Sequence, residues 1–536
     1  MFQDGKVFLG KAGEEKVVLL PQMANRHGLI AGATGTGKTV TLKVMAESFS
    51  EAGVPVFLAD VKGDLSGMVL PGSESERVKQ SMDSMGLREE GFAFRGFPTE
   101  FWDVYAKEGM PLRTTVTEMG PLLLSRILEL NETQEGILDI VFRIADEEGL
   151  LLLDTKDMRS MLQYAGEHAQ EYSAKYGNIP KQSIGAIQRK LLQLETDGGD
   201  LFFGEPALDV RDWIRTDPAT GFGVINVLDC RTLALHPTMY STYLLWMLSE
   251  LYETLPEVGD LDRPKLVFFF DEAHLLFDSA SKPLKEKVSQ VVKLIRSKGI
   301  GIYFITQTPS DIPDDVLAQL GNKVQHALHA YTPAEQKSIK SAAASFRANP
   351  EFDTAETLQN LGIGEALVSV LDDQGIPTVV QRIRILPPES QMGLLDEAVR
   401  TAQIAGSALN TKYSDSVDRD SAYEFLERKN LEAEAEKQRA QENAARAKEQ
   451  AALAKTEAAR KARAEAASAK EEERERTRRE KQRKSAVRSV ASSTAGSIGR
   501  EIGKSVGSKF GSAGKTIGGN LGASLTRGIL KTLFKS

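Results

Sequence analysis

The chain has 536 residues and, with 67 Lys and Arg against 75 Asp and Glu, a net charge of −8 at pH 7. That balance removes any chain-wide argument for nucleic-acid binding, so a surface of that kind has to be local. One cysteine, Cys230, excludes an internal disulfide, and no run of about 18 apolar residues spans a bilayer. No basic-then-apolar leader opens the chain, and a cytoplasmic location is expected.

In chain order, Leu29-Ile30-Ala31 predict a short buried strand, and Val40, Leu42, Val44 and Met45 a helix. Between them lie Gly32, Ala33, Thr34, Gly35, Thr36, Gly37, Lys38 and Thr39, a complete G-x-x-x-x-G-K-[ST] phosphate-binding loop in the strand–loop–helix setting it requires. The glycines let successive backbone N–H groups converge on an anion, and the helix N-terminus adds partial positive charge. A nucleoside triphosphate, ATP, is therefore expected on residues 32–40. Lys38 is expected on its β- and γ-phosphates, and the Thr39 hydroxyl on Mg²⁺.

Continuous apolar runs predict further parallel-sheet strands at Val54–Ala59, Val224–Leu228, Leu266–Phe270 and Ile300–Thr306. The first three run into Asp60, Asp229 and Asp271, where the C-terminal edge of an open sheet places its ligands. Additional strands are expected at Lys323–His329, Ala366–Leu371 and Thr378–Ile385. Helix-period segments dominate 65–220 and predict an inserted, mainly helical subdomain.

Asp271 and Glu272 form the second half of a hydrolytic site. Asp271 is placed to hold the Mg²⁺ shell, and Glu272 to accept a proton from the water attacking the γ-phosphate. Gln307, just past the next strand, fits a γ-phosphate sensor, and an ordinary strand-end amide is the competing reading. Arg296 reads equally as an arginine finger reaching a neighbouring subunit or as a solvated helix-end arginine. Asp60 and Asp64 either face the phosphate site or cap the loop they bracket. Cys230, at a strand end, reads as a buried thiol rather than a nucleophile.

Residues 423–484 lack glycine and proline and are rich in Ala, Glu, Lys, Arg and Gln, which predicts one long charged helix, solvated or joined in an alanine-seamed coiled coil. The tail, 485–536, carries a glycine stripe at Gly499, Gly503, Gly507 and Gly511 beside Ile498, Ile502, Val506 and Phe510. Helix self-association, contact with a membrane surface and a disordered tail all fit that pattern.

Taken together, Asn25 through Thr39, Asp60-Val61-Lys62-Gly63-Asp64, Phe270 through His274, and Arg296 through Pro309 resemble the HerA/FtsK superfamily of P-loop ATPases, in particular the bacterial HerA-like group of YjgR-type proteins. The resemblance implies a RecA-like core in two parts, 1–64 and 221–390, followed by a linker over 391–422. It also implies a hexameric ring with ATP between subunits and Arg296 as the finger. Its relatives move double-stranded DNA, yet only 31 residues precede the loop here, where HerA proteins carry a β-barrel. Two functions follow: a Mg²⁺-dependent motor acting on DNA, or a nucleotide-gated scaffold that recruits a protein partner, such as a nuclease, or a membrane surface through its C-terminal helix and tail.

Overall fold

In the computed structural model, residues 1–487 are described apart from 279–281 and 331. The chain divides into two units, Met1–Glu432 and a second that begins at Ala433. Among the described residues the first unit holds a sheet of thirteen strands. These are β1 (Phe2–Gln3), β2 (Lys6–Ala12), β3 (Glu15–Leu19), β4 (Gly28–Ala31), β5 (Val56–Asp60), β6 (Thr99–Asp103) and β7 (Met110–Pro111). They continue with β8 (Ile225–Asp229), β9 (Leu266–Phe270), β10 (Ile300–Thr306), β11 (Asn322–Gln325), β12 (Glu365–Ser369) and β13 (Gln381–Ile385).

The order is β1-β2-β13-β12-β11-β4-β10-β9-β5-β8-β6-β7, with β3 paired to β2. From β11 to β7 all neighbours run parallel, and from β12 outward the pairs are antiparallel. The α/β class with a mostly parallel sheet stands as expected. Alternation along the central strands explains the apolar runs. Phe57, Phe268, Phe270, Ile302 and Phe304 enter the core on one face, while Val56, Leu58, Phe269, Tyr303 and Ile305 enter the other. Both faces need apolar residues because both are covered.

Helix α1 (Lys38–Glu51) follows the phosphate loop and buries Leu42, Val44, Met45 and Phe49 on the second face. The insertion supplies α2 (Glu76–Met85), which adds Met82 and Met85 to that same face. Its later helices α3 (Val116–Ile127), α4 (Glu132–Glu148), α5 (Thr155–Glu167) and α7 (Lys181–Leu194), which α6 (Ala169–Tyr176) precedes, pack on the first face. The stretch 65–220 is not helical throughout, because β6 and β7 extend the main sheet beside β8. Trp102 of β6 lies fully buried there, its indole N–H donating to Asn226 at 3.1 Å.

The stretch 391–422, expected as a linker, is folded onto the first unit. It carries helices Glu397–Gly406 and Asn410–Tyr413, and Arg400 is buried in ion pairs with Asp229 and Glu108. A longer helix, Ala422–Val487, begins with Ala422 and Leu426 in the first unit's core. There the Ser421 hydroxyl and the Tyr423 N–H both donate to Asp157, at 2.6 and 2.8 Å, and Lys429 donates to the Tyr164 hydroxyl at 2.9 Å. In the second unit the helix is exposed at every residue from Ala433 to Arg479. No described helix is long and apolar enough to cross a membrane. The glycine stripe from Gly499 onward lies outside the described residues.

Candidate nucleotide-binding and hydrolysis site

The phosphate loop leaves β4 at the C-terminal edge of the parallel strands. Gly32 and Gly37 have φ of 154° and 121°, a region that side chains avoid, and Gly37 opens α1 without a side-chain cap. The first N–H groups of α1 thus remain available to an anion. The loop is clamped from below. His326, directly after β11, donates its backbone N–H to Ala31 at 2.7 Å, the Ala33 N–H donates to Ala327 at 2.9 Å, and Gly364 donates to Thr36 at 3.0 Å.

The His326 ring is buried beneath the loop. Nδ1 lies 2.9 Å from the Glu365 carbonyl and Nε2 2.8 Å from the Thr41 hydroxyl. A carbonyl only accepts, so Nδ1 carries the proton and Nε2 accepts from Thr41. Burial pushes its pKa down to about 4, despite the hydrogen bond to Glu365, so the ring is neutral at pH 7.

Lys38 is buried, and its Nζ donates to the carbonyls of Gly32 at 2.6 Å and Ala33 at 3.2 Å. Burial lowers its pKa, with Glu272 and Asp271 opposing that shift. Sheet order brings β9 two strands from β4, so Asp271 and Glu272 emerge at the same edge, 5 % and 7 % exposed. Burial raises the Asp271 pKa to about 6. Glu272 has φ of 47°, a strained conformation for a side chain of its size and one that clusters at active sites.

From β5, the loop beginning at Asp60 reaches the same place. The Asp60 carboxylate accepts from the N–H groups of Gly63 and Leu65 at 2.7 and 3.0 Å, which resolves its role in favour of capping. Burial, then Asp64, raises its pKa to about 7. Asp64 instead lines the cavity, and its Oδ1 is buried without a hydrogen-bond partner among the described residues. Lys62 Nζ sits 2.5 Å from Glu272 Oε1, and His274 Nδ1 lies 3.2 Å from Oε2 of the same carboxylate. Burial disfavours the Lys62 charge, but the bond to Glu272 and the Asp271 charge hold its pKa above the usual value.

Lys38, Lys62, Asp64 and Asp271 open on a cavity of about 560 Å³. Its phosphate end is lined by Thr34, Gly35, Gly37, Lys38, Thr39 and Asp271, and Val40 follows on α1. Its other end is walled by Ser75–Ser81 around α2 and by Arg384–Pro388 after β13. Gln307 is the exposed residue directly after β10, the strand between β4 and β9, with Thr306 in register with Ala31. It therefore stands between the phosphate loop and the carboxylates.

Arg296 is elsewhere. It precedes β10 at the opposite edge, about 20 Å away across a seven-residue strand. There it is part-exposed and pairs with Asp260 at 3.4 Å. It cannot serve its own chain's site. Cys230 is fully buried and burial raises its pKa, as a packed thiol requires.

Residues 7–533 match the family described as Helicase HerA-like C-terminal. The chain belongs to the HerA-like helicase family. It is 22% identical over 392 residues to the DNA double-strand break repair helicase HerA of Sulfolobus acidocaldarius, covering 71% of this chain and 70% of that protein. The HerA of Sulfurisphaera tokodaii is 22% identical over 380 residues, covering 69% and 67%. Among solved structures, the bacterial conjugative coupling protein TrwB, lacking its N-terminal 70 residues, aligns at 13% identity with a TM-score of 0.48, covering 74% of this chain and 98% of that one. This HerA-like chain is a P-loop ATPase.

His326 and Gly364, which brace the phosphate loop, have no place in the motifs. The one trace of His326 is a polar side chain in the stretch Lys323–His329 expected as a buried strand, where a pairing partner is required.

Proposed function

We propose that this HerA-like ATPase hydrolyses ATP with Mg²⁺ in a ring of its own copies and uses the energy to move double-stranded DNA. The observation that supports the reading best is the meeting of Lys38, Thr39 and Asp271 around one cavity at the C-terminal sheet edge, with Glu272 beside them on the cavity-lining Lys62. The Thr39 hydroxyl and the Asp271 carboxylate are hard oxygen donors suited to Mg²⁺, and the unpartnered Asp64 oxygen beside them fits a metal-bound water. Among the described residues no cluster of three or more acidic, His or Cys side chains would hold a metal alone, as befits an ion bound largely by phosphate and water. When bound, Mg²⁺ neutralises charge on the phosphates.

The loop N–H groups and Lys38 hold the β- and γ-phosphates. Glu272 takes a proton from water as the water oxygen bonds to the γ-phosphorus and the bond to the ADP oxygen breaks. Gln307 orients that water or the γ-phosphate. Arg296 works in the neighbouring subunit's site, which its distance from its own supports. The HerA relatives are named for DNA double-strand break repair, which favours DNA as the polymer.

A second reading rests on the helix from Ala433, exposed throughout its described length to Arg479, which suits the capture of a protein partner. ATP turnover by wild type and Glu272→Gln, with and without long double-stranded DNA across a salt series, separates the two. Glu272-dependent turnover stimulated by DNA, fading steeply with salt, supports the motor. Glu272-dependent turnover indifferent to DNA moves the function to the scaffold. Wild-type turnover by Glu272→Gln overturns the hydrolytic assignment.

A further inference from the structure

We propose that Lys62 is a second phosphate-binding cation, which grips the terminal phosphate of ATP while holding the Glu272 carboxylate beside it. The inference rests on the hydrolytic reading above. Lys62 follows β5, which is paired to β9 with Ala59 in register with Phe270, so the two strands deliver Lys62 and Glu272 side by side. The contact is short, 2.5 Å from Nζ to Oε1, and the two partners are unlike. The Glu272 side chain is 9% exposed and strained at φ 47°, whereas the Lys62 side chain is 45% exposed. One end of the pair is fixed and the other faces the cavity that Lys38, Thr39 and Asp271 also line.

An ammonium has three donors, and the bond to Glu272 uses one. The phosphate end of the cavity is lined by Asp64 and Asp271, Glu272 is held against Lys62, and among the described lining residues the other lysine is Lys38. A γ-phosphate adds further negative charge next to the Glu272 carboxylate, and the two repel unless a cation lies between them. Lys62, bonded to Glu272 and lining the cavity, is the cation available for that position. Diphosphate lacks the group it would grip, so Lys62 discriminates triphosphate from diphosphate.

The test compares Lys62→Met, which keeps the apolar stem, with Lys62→Arg, which keeps the charge, in the full chain. The readout is the Kd of a non-hydrolysable ATP analogue and of ADP, each with Mg²⁺. Lys62→Met weakens the analogue roughly 10–100-fold, the scale of a charge-assisted hydrogen bond, and leaves ADP within about twofold. Lys62→Arg restores most of the loss. Equal weakening of both nucleotides, or of neither, overturns the proposal, and retained ADP binding reports an intact fold. The hydrolytic reading fails separately: full turnover by Glu272→Gln removes it, whereas an inactive Glu272→Gln beside a Lys62→Met with unchanged binding removes the Lys62 assignment alone.

Discussion

His326 offers a test of the brace beneath the phosphate loop. Replacing it by Leu keeps much of the volume and removes both ring hydrogen bonds, to Thr41 and to Glu365. Leaving the buried Thr41 hydroxyl and the part-buried Glu365 carbonyl unsatisfied costs about 2–3 kcal/mol at pH 7. The ring has a folded pKa of about 4 against 6.5 when free, so the folded state excludes its proton. Its stability contribution is complete above pH 6.5 and is lost as the pH falls toward 4. At 1.36 kcal/mol per pKa unit, wild type gives up about 2 kcal/mol through this residue at pH 5, and the Leu variant gives up none. The deficit of His326→Leu should therefore shrink from about 2–3 kcal/mol at pH 7 to at most about 1 kcal/mol at pH 5. His27, Asp60 and Asp271 titrate alike in both proteins and cancel. Urea unfolding followed by tryptophan fluorescence reads it directly, because Trp102, Trp213 and Trp246 are all buried in the core around the sheet. An equal deficit at both pH values would refute the account of His326 as a neutral, doubly bonded brace.

Gly32→Ala would put a Cβ 2.5 Å from the His326 Cβ at a φ of 154°, and should abolish ATP binding, whereas Gly35→Ala, with open space around it, should cost only about 1–2 kcal/mol of backbone strain and keep ATP binding. Isothermal titration of both variants checks this, and equal losses would count against the brace. Arg296→Ala should bind nucleotide as wild type does yet lose turnover by roughly 10³-fold or more. Mixed with inactive Glu272→Gln, it should regain turnover, since each subunit supplies what its neighbour lacks. Absence of recovery in mixed rings would refute a finger acting between subunits.

Wherever one stretch of chain carries both the chemistry and its own setting, the site was legible in the sequence. Gly32–Thr39 needs only a strand before it and a helix after it, and Asp271-Glu272 needs only the apolar strand Leu266–Phe270. Central strands buried on both faces announce themselves by unbroken apolar runs. The outer strands do not. β2 and β3 form a hairpin turning at Gly13, β1 pairs with β2 as well, and a further partner of β2, β13, comes nearly 370 residues later. β6 hides among helical segments because its place beside β8 is a tertiary fact. His326 is silent for the same reason: its work depends on Thr41 and Glu365, which arrive from other elements. Lys62 was visible within the Asp60–Asp64 motif, but its pairing with Glu272 came only from the adjacency of β5 and β9.

The way the long helix begins also dictates where the chain can be shortened. Asp157 accepts from the N–H groups of Leu153 and Asp154 as well as from Ser421 and Tyr423, and burial raises its pKa. A truncation ending before Ser421 strips two donors from that carboxylate and uncovers the apolar bed of Leu426, damaging the ATPase while ostensibly deleting an appendage. A stop codon after Glu432 spares both. The opening turns of the helix are thus a cork for the enzyme, and the appendage proper starts only beyond them.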